Sequence, residues 1–243
     1  MTENIFPDII QPLNREPISV TILNMITDSI LSGKLKPGDK LPTEMELAQT
    51  LGVGRNSVRE AIKMLSSLGV IEIKRGAGTF IARSISSLML NPLILSLAFE
   101  QGTSRELVEL RLLLEVGAAE LAIEKASDKE IERLEEANNK LKEASEKNIN
   151  DPKVLRDLDL NVHYTLFEIT RNALVEKIAK AVYRLFFASI EKTVKVNPLD
   201  AYRNHKMYID AIKKRDKNLV RKEIRRALSY WIDFVSHEKE NNR

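Results

Sequence analysis

One group of side chains in this sequence has the types and spacing of a metal site. Asp159 and His163 are four positions apart, so on a helix they share one face and can both ligate one cation. His205, in a later segment, can complete a three-ligand site inside a helical bundle. The residues also allow an alternative, in which both histidines are ordinary partly buried side chains that hydrogen-bond within the bundle.

A second group has the chemistry of nucleic-acid recognition. Arg55 and Arg59 are four positions apart in a short amphipathic segment, with Asn56 and Ser57 between them. A guanidinium can donate two hydrogen bonds to O6 and N7 of guanine in the major groove, which contributes about 1 to 3 kcal/mol of base discrimination. Residues 52–83 carry more basic than acidic side chains, which is typical of a surface that attracts phosphates. The alternative is that the arginines are only solvated charges.

Arg111 is a third residue of interest, because it interrupts an otherwise apolar helix face. Burying a guanidinium is costly unless an anion neutralises it. Two partners are open, an internal acid such as Glu115 or an anionic ligand. The sequence therefore predicts either a structural ion pair or a ligand contact at Arg111.

The arginine pair requires two short helices to position it. Apolar spacing predicts a first helix over 18–31, and Thr43, with a glutamate three residues later, has the capping-box pattern of a helix start. Gly52 separates that second helix from the arginine-bearing one, which is typical of a helix-turn-helix. Two β-branched runs, 70–73 and 79–81, then predict a hairpin with a basic, glycine-rich tip.

In the rest of the chain the apolar residues have helical spacing, and alternating strand patterns are lacking. The predicted fold class is mainly α: an N-terminal winged helix-turn-helix of three helices and a two-stranded β wing, followed by an all-α antiparallel helical bundle. The predicted domains are 10–83 for DNA binding and 103–240 for the bundle, joined by a linker over 84–102. Helices of the later bundle are expected over 155–170, 174–194, 198–214 and 216–237.

Composition limits the remaining classes. A chain of 243 residues has room for two domains, and its net charge of +3 is too small by itself to indicate nucleic acid. The sequence has no cysteine, which excludes disulfides, thiolate nucleophiles and cysteine zinc sites. Residues 1–12 lack a signal-peptide pattern, and the apolar stretch 88–99 is shorter than a membrane span. We therefore expect a soluble cytoplasmic protein with no membrane partner.

These patterns resemble a known family of proteins. The N-terminal third closely resembles the GntR family of bacterial transcription regulators, through residues 37–44, 52–61, 69–71 and 76–80. The helical half resembles the ligand-binding, FCD-type domain of the FadR subfamily, through residues 109–115, 159–163 and 205–212. Together the two resemblances cover nearly the whole chain.

For the N-terminal third, the resemblance implies contacts with DNA. The implied DNA-binding positions are Thr43, Met45, Arg55, Asn56, Ser57, Arg59, Arg75 and Gly76. The four residues of the second helix, 55–57 and 59, would lie in the major groove. Arg75 and Gly76 would reach toward the minor groove, and Thr43 would lie near the DNA backbone. Two departures stand out, because family members commonly carry Ser or Thr where this chain has Gly54, and often Arg where it has Met45.

For the helical half, the resemblance implies a small carboxylic-acid effector, which the position of Arg111 can contact. Subfamily members with a metal use an Asp and three His, at positions that correspond here to Asp159, His163, His205 and Ala227. Because the fourth position is Ala227, a zinc, nickel or manganese ion with three protein ligands and a helical domain without metal both remain open.

Taken together, the sequence predicts a homodimeric, metabolite-responsive repressor that recognises a pseudo-palindromic operator in double-stranded DNA. An effector would act by preferring one arrangement of the DNA-binding domains. The chain is not expected to be an enzyme. The alternatives are a metal-dependent enzyme built on Asp159, His163 and His205, a regulator with a purely structural helical domain, and a GntR member with an α/β effector domain.

Overall fold

The computed structural model describes residues 16–84, 91–99 and 104–241, with the backbone alone described over 230–241. The chain divides into two compact units, one within 1–89 and one within 90–243. The domain bounds 10–83 and 103–240 and the linker 84–102 extend into residues outside the described ranges, so they stay predictions. Within those ranges, no helix has the length and apolarity needed to cross a lipid bilayer.

Over residues 16–84 the first unit consists of three helices and a two-stranded wing, as its part of the predicted fold class requires. Its elements are α1 Ile18–Leu31, α2 Glu44–Leu51, α3 Arg55–Ser67, β1 Ile71–Lys74 and β2 Gly78–Ile81. The strands pair antiparallel, with Ile71 opposite Ile81 and Lys74 opposite Gly78. Val58, Ala61 and Leu65 of α3 are fully buried at the centre of its core, so the opposite face of α3 is left exposed.

Local sequence explains how α2 and α3 are joined. The Thr43 hydroxyl accepts from the Glu46 backbone while the Glu46 carboxylate accepts from the Thr43 backbone, which is the predicted capping box. Gly52 ends α2 with φ of 65°, a left-handed conformation that glycine adopts without strain. Gly54 precedes α3 in an extended conformation. The turn therefore follows from residues that the sequence identifies.

The second unit is an all-helical bundle, which confirms the other part of the fold class. Its helices are α4 Asn91–Phe99, α5 Ser104–Lys125, α6 Asp128–Glu146, α7 Pro152–Glu168, α8 Ala173–Val182, α9 Phe187–Val196, α10 Pro198–Lys213 and α11 Lys217–Asn241. Helix α10 packs against α6 and α11, while α7 packs against α6 and α9. Helix α4 falls inside the stretch predicted as linker and contacts α8.

The single helix predicted over 174–194 is wrong. A 3-10 helix, Tyr183–Phe186, separates α8 from α9. In a 3-10 helix residues three apart eclipse each other, and both Tyr183 and Phe186 are fully buried. The tighter turn therefore aligns two aromatic side chains on the face that points into the bundle.

The interior of the bundle is mostly apolar, but it contains one buried cluster of ionisable and amide side chains. This polar cluster contains Arg111 and Glu115 of α5, Asn138 of α6, Asp159 and His163 of α7, and His205 of α10, and each of these residues is at most 6% exposed. Buried ionisable groups persist where they pair with one another or bind ions. The bundle therefore positions a site at its centre.

Candidate functional site

The exposed face of α3 carries the side chains expected to read DNA. Arg55, Asn56 and Arg59 are exposed and Ser57 is half-buried, while Val58 packs into the core on the other side. The first turn of α3 has no side-chain cap among the described residues. The backbone N–H groups at this end therefore remain available to an anion such as a phosphate.

Arg59 is not simply a solvated charge. Its Nε lies 3.5 Å from Glu44 Oε2 at the start of α2, and both side chains are about half exposed. An exposed pair of this kind is worth only about 0.2 to 1 kcal/mol. Glu44 therefore holds Arg59 near α2 without committing it to the protein interior.

The two predicted positions around α2 differ in what they offer. The Thr43 hydroxyl also donates to Glu46 Oε2 at 2.8 Å, so it is engaged within the capping box. The Met45 side chain is 49% exposed and offers no charge to a phosphate. Of this pair, Thr43 thus holds the start of α2 in place, and Met45 contributes apolar surface.

The wing presents its basic tip to solvent. Arg75 and Gly76 are exposed between the two strands, and Gly76 has φ of 77°. Lys74 and Lys40 lie 5.3 Å and 5.9 Å from the centre of the Phe80 ring. Cation–π contacts with this ring favour a fixed position for both ammonium groups, so the wing carries positive charge beyond Arg75.

In the bundle, the predicted metal ligands come together. Asp159, His163 and His205 each offer one ligand atom, and these atoms lie within 4.8 Å of one another. His163 Nε2 is 3.6 Å from Asp159 Oδ2, and His205 Nε2 is 3.4 Å from Asp159 Oδ1. The spacing of four residues within α7 and the packing of α10 on α7 produce this convergence.

Hydrogen bonds fix which nitrogen of His163 carries the proton. Tyr183 donates its hydroxyl proton to Glu115 Oε1, and the Tyr183 oxygen lies 3.2 Å from His163 Nδ1. Because that hydroxyl proton is already committed, His163 Nδ1 is the donor. His163 Nε2 has no hydrogen-bond partner in the part of the chain that the structure describes.

His205 is oriented in the same way by a different residue. The Asn138 amide nitrogen donates to the Tyr202 carbonyl at 3.0 Å, which identifies the Asn138 oxygen as the group 3.2 Å from His205 Nδ1. That oxygen can only accept, so Nδ1 donates and Nε2 carries the lone pair. Both imidazoles thus direct Nε2 toward Asp159, as metal-ligating histidines with fixed outer partners do.

The ionisation states suit a cation site as well. Burial lowers the pKa of His205 to about 4, so this imidazole is neutral at neutral pH. Burial acts to raise the pKa of Asp159, but the surrounding His205, His163 and Arg111 outweigh it and hold that pKa below its ordinary value, so Asp159 is a carboxylate. One carboxylate and two imidazole nitrogens form a donor set that fits zinc or a similar divalent ion.

Arg111 forms an ion pair with Glu115 inside the bundle, which was one of the two alternatives for this residue. Its Nε and Nη2 lie 2.9 Å and 2.8 Å from Glu115 Oε1, and both side chains are buried. The guanidinium also lies 5.4 Å from the ring centres of Tyr183 and Phe186. Burial acts to raise the pKa of Glu115, but Arg111 together with the other groups around the carboxylate outweighs it and keeps that pKa low, so the pair is ionised.

A cavity of about 110 Å³ opens beside these groups. Its wall includes Arg111, Asp159 and His205 together with Tyr208 and Ala227. Ala227, which stands where the resemblance places a fourth ligand, thus faces the same space as the other three. The helical half therefore contains a small, partly open chamber next to the potential ligands.

Sequence reasoning missed three residues of this site: Asn138, Tyr183 and Tyr208. Asn138 lies in a strongly charged helix that reads as solvated, and the two tyrosines have the spacing of core residues. The only available signal was a polar atom at a core position, since a buried amide or phenol needs a partner.

Comparison with known proteins agrees with both halves. Residues 18–81 match the bacterial regulatory proteins of the gntR family, and residues 106–230 match the FCD domain. The HTH-type transcriptional regulator LutR of Bacillus subtilis is 33% identical over 167 residues, which cover 69% of this chain and 74% of LutR. The galactonate operon transcriptional repressor of Escherichia coli is 28% identical, over 77% of this chain and 83% of the repressor.

Solved structures point the same way. A GntR protein of Streptococcus agalactiae has 25% identity and a TM-score of 0.57, with 88% of this chain and 99% of that protein covered. Proteins of this family bind operator DNA and small-molecule effectors, and they are regulators rather than enzymes. With a GntR domain followed by an FCD domain that spans half its length, this chain belongs to the GntR family of bacterial transcription regulators.

Proposed function

We propose that this regulator is a homodimeric repressor whose helical domain binds a small carboxylic acid at a divalent cation held by Asp159, His163 and His205. The observation that carries the proposal is the meeting of three buried ligand atoms, among them a His163 Nε2 that has no hydrogen-bond partner within the described residues. A divalent cation at this point would satisfy that nitrogen and the Asp159 carboxylate together. The bound metal would supply a Lewis-acidic position for an oxygen of the acid.

The charges around the cavity explain why the acid should need the metal. Arg111 is neutralised by Glu115, so the Asp159 carboxylate leaves the deep part of the cavity with a net negative charge. An anion alone would be repelled there. A divalent cation reverses the sign, and the small Ala227 side chain leaves the acid room beside it. The contribution of Arg111 to effector binding is then indirect, through the Glu115 charge that it balances.

One relative supports an acid as the effector class. The galactonate operon repressor takes its name from the operon of a carboxylate. The match extends over 77% of this chain, so it includes much of the effector domain. Galactonate itself is not proposed as the effector of this chain, but a small carboxylate is the corresponding ligand class.

For the DNA-binding half, we propose contacts at the positions that the resemblance implies. Arg55, Asn56, Ser57 and Arg59 would meet the major groove, the wing tip at Arg75 and Gly76 would approach the minor groove, and Thr43 and Met45 would lie beside the sugar–phosphate backbone. The exposure of α3 and of the wing tip supports these roles. A homodimer would read two related half-sites, hence a pseudo-palindromic operator.

Thermal unfolding of the full chain tests the metal. The unfolding midpoint is measured as isolated, after exhaustive chelation, and after adding back zinc, nickel or manganese. A ligand that binds only the folded state at 100 times its dissociation constant stabilises it by about 2.7 kcal/mol. We expect chelation to lower the midpoint, the metal to restore it, and His163→Ala to abolish the response. A midpoint that never responds to metal would contradict the cation site and leave a regulator with a purely structural helical half.

Selection from a random double-stranded DNA library tests the operator. The full chain should enrich sequences with two inverted half-sites, and Arg55→Ala should weaken binding to them by about tenfold. Lys129→Ala, an exposed change in the other domain, is the control and should leave DNA binding unchanged. Enrichment of asymmetric sites alone would contradict the dimeric mode of recognition.

A further inference from the structure

Tyr208 is the residue of the bundle whose chemistry the proposed function leaves unused. It lies on α10, three positions after His205, and is 1% exposed. Its hydroxyl has no hydrogen-bond partner within the described residues, although it lines the cavity beside the three potential ligands. A buried hydroxyl without a partner costs about 1 to 3 kcal/mol, so its retention at this position requires an explanation.

The surroundings of Tyr208 fix where its hydroxyl can find a partner. The ring packs edge-on against His205, with 5.6 Å between ring centres, so it cannot turn away without disturbing a ligand. Ala227 and Leu228 of α11 border the same cavity and offer no polar side-chain atom. The polar residues that line it elsewhere, such as Thr193 and Asn204, do not accept from this hydroxyl. The free space of the cavity is therefore a place where an acceptor for this hydroxyl can lie.

A phenol is protonated at neutral pH and donates one hydrogen bond. In this cavity the donor can serve an acceptor that arrives from outside, since none of the described protein groups accepts from it. A carboxylate oxygen beside the cation is such an acceptor. Hydrogen bonds to charged groups are also the stronger kind.

We propose that Tyr208 is the recognition residue for the effector, and that its hydroxyl donates to a carboxylate oxygen of the acid in the space bordered by Ala227. The inference rests on the proposed function, because it takes the acid and the cation from there. It adds a direct protein contact to a ligand otherwise held by the metal. In this chain a hydrogen-bonding side chain on α10 thus compensates for the ligand that α11 lacks.

The test uses the zinc-loaded full chain and three defined probes: acetate, L-lactate and L-malate. Calorimetric titration gives the dissociation constant of each acid for the wild type, Tyr208→Phe and Tyr202→Phe. Tyr202 is a matched control because it lies on the same helix, is half-buried and does not line this cavity. For the acids that bind, we expect Tyr208→Phe to weaken affinity by about tenfold or more and Tyr202→Phe to leave it unchanged.

Two further readouts separate recognition from a structural role. Removing an unsatisfied hydroxyl should leave the unfolding midpoint equal or slightly higher, and the zinc affinity should not change. Adding the acid should alter the near-UV tyrosine difference spectrum of the wild type and of Tyr202→Phe, but not that of Tyr208→Phe.

The possible failures are distinct. Equal acid affinities for wild type and Tyr208→Phe would overturn this inference while leaving the proposed function standing, and would assign the hydroxyl to a bound water. Failure of the zinc-loaded wild type to bind any of the three acids would contradict both proposals. A Tyr208→Phe protein that loses zinc would also overturn the inference, because the residue would then support the metal and not the acid.

Discussion

At the scale of single residues, Arg59 is a DNA-binding candidate whose charge is partly paired within the protein. Its guanidinium pairs with Glu44, and that carboxylate would stand beside a DNA phosphate. We expect Glu44→Gln to tighten operator binding by up to about fivefold at low salt, the range that an exposed pair can contribute. Fluorescence anisotropy with labelled operator measures the change, which should shrink as salt rises.

The Arg59→Ala background is the control for this prediction. If the pair restrains Arg59, Glu44→Gln should gain much less in that background. An equal gain in both backgrounds would show that Glu44 acts on DNA directly and that the ion pair is irrelevant.

Glu115 is the residue on which the buried cluster depends most. It accepts from Arg111 and from Tyr183 while fully enclosed by the bundle. Removing one partner of a buried ion pair leaves an uncompensated charge and typically costs 3 to 5 kcal/mol. Urea unfolding of Glu115→Gln should therefore show a loss of about that size.

A second variant shows that the loss comes from the stranded guanidinium. Replacing Arg111 by Met together with Glu115→Gln removes both charges, and apolar replacements of buried pairs are often close to neutral. We expect the double variant to recover most of the lost stability. If it is as unstable as Glu115→Gln alone, the loss reflects the Tyr183 contact and not the ion pair.

At the scale of elements, a better capping residue at the start of α3 should raise the stability of the first unit. Gly54 has φ of −67° and ψ of 141°, which suits a capping serine, and a Cβ added there meets nothing within 4 Å. Gly54→Ser should stabilise the first unit by a few tenths of a kcal/mol, the usual difference between these two caps. Thermal unfolding measures it, with Gly52→Ser as the contrasting variant, since φ of 65° makes that change destabilising.

The start of α6 gives the molecule a pH-dependent contact. Glu130 accepts from the Ser127 backbone and from Arg171, 41 positions away, and Arg171 is first among the groups that lower its pKa to about 2. A carboxyl with a depressed pKa stabilises the fold at pH values above its ordinary pKa near 4.5. That contribution is lost as the pH falls from there toward 2.

Glu130→Gln keeps a capping side chain and removes the charge. Its midpoint of unfolding should lie below that of the wild type at pH 7, and the two should converge between pH 4 and pH 2. Scanning calorimetry across this range measures the gap. A constant gap at every pH would show that the carboxylate charge does not contribute.

Most of these elements could be predicted because their signals are local. Thr43 with Glu46 marks a helix start, and Gly52 marks a turn, whatever surrounds them. The break at 183–186 had no such signal, because it satisfies contacts that Tyr183 makes with α5 and α7. Secondary structure set by tertiary contacts is not contained in a short window of sequence.

Some residues of the buried site could likewise be predicted from the sequence, and others could not. Asp159 and His163 share a helix face by spacing alone, His205 was a candidate by residue type, and the resemblance added Ala227 as the position of a fourth ligand. Tyr208 has the helical spacing of a core residue, and only its unpartnered oxygen in the three-dimensional structure distinguishes it. Spacing therefore finds ligands on one element, whereas convergence between elements needs the fold.

At the scale of the whole molecule, the two units must influence each other if the protein is to respond to an effector. Linkage requires that an acid which weakens operator binding by some factor is itself bound more weakly by that factor when operator is present. An acid that binds both states equally would change nothing. The direction proposed here is release, as expected for a metabolite-responsive repressor.

The expected coupling is about 5- to 150-fold, the usual range for allosteric proteins. It is measured twice on the zinc-loaded full chain: as the dissociation constant of the operator with and without saturating acid, and as that of the acid with and without saturating operator. His163→Ala should still bind operator but lose the coupling, because the acid no longer has its cation. If the acid binds the wild type yet both ratios equal one, the helical half is not a sensor for that acid. A ratio that shows tighter operator binding would instead make the protein a co-repressed regulator.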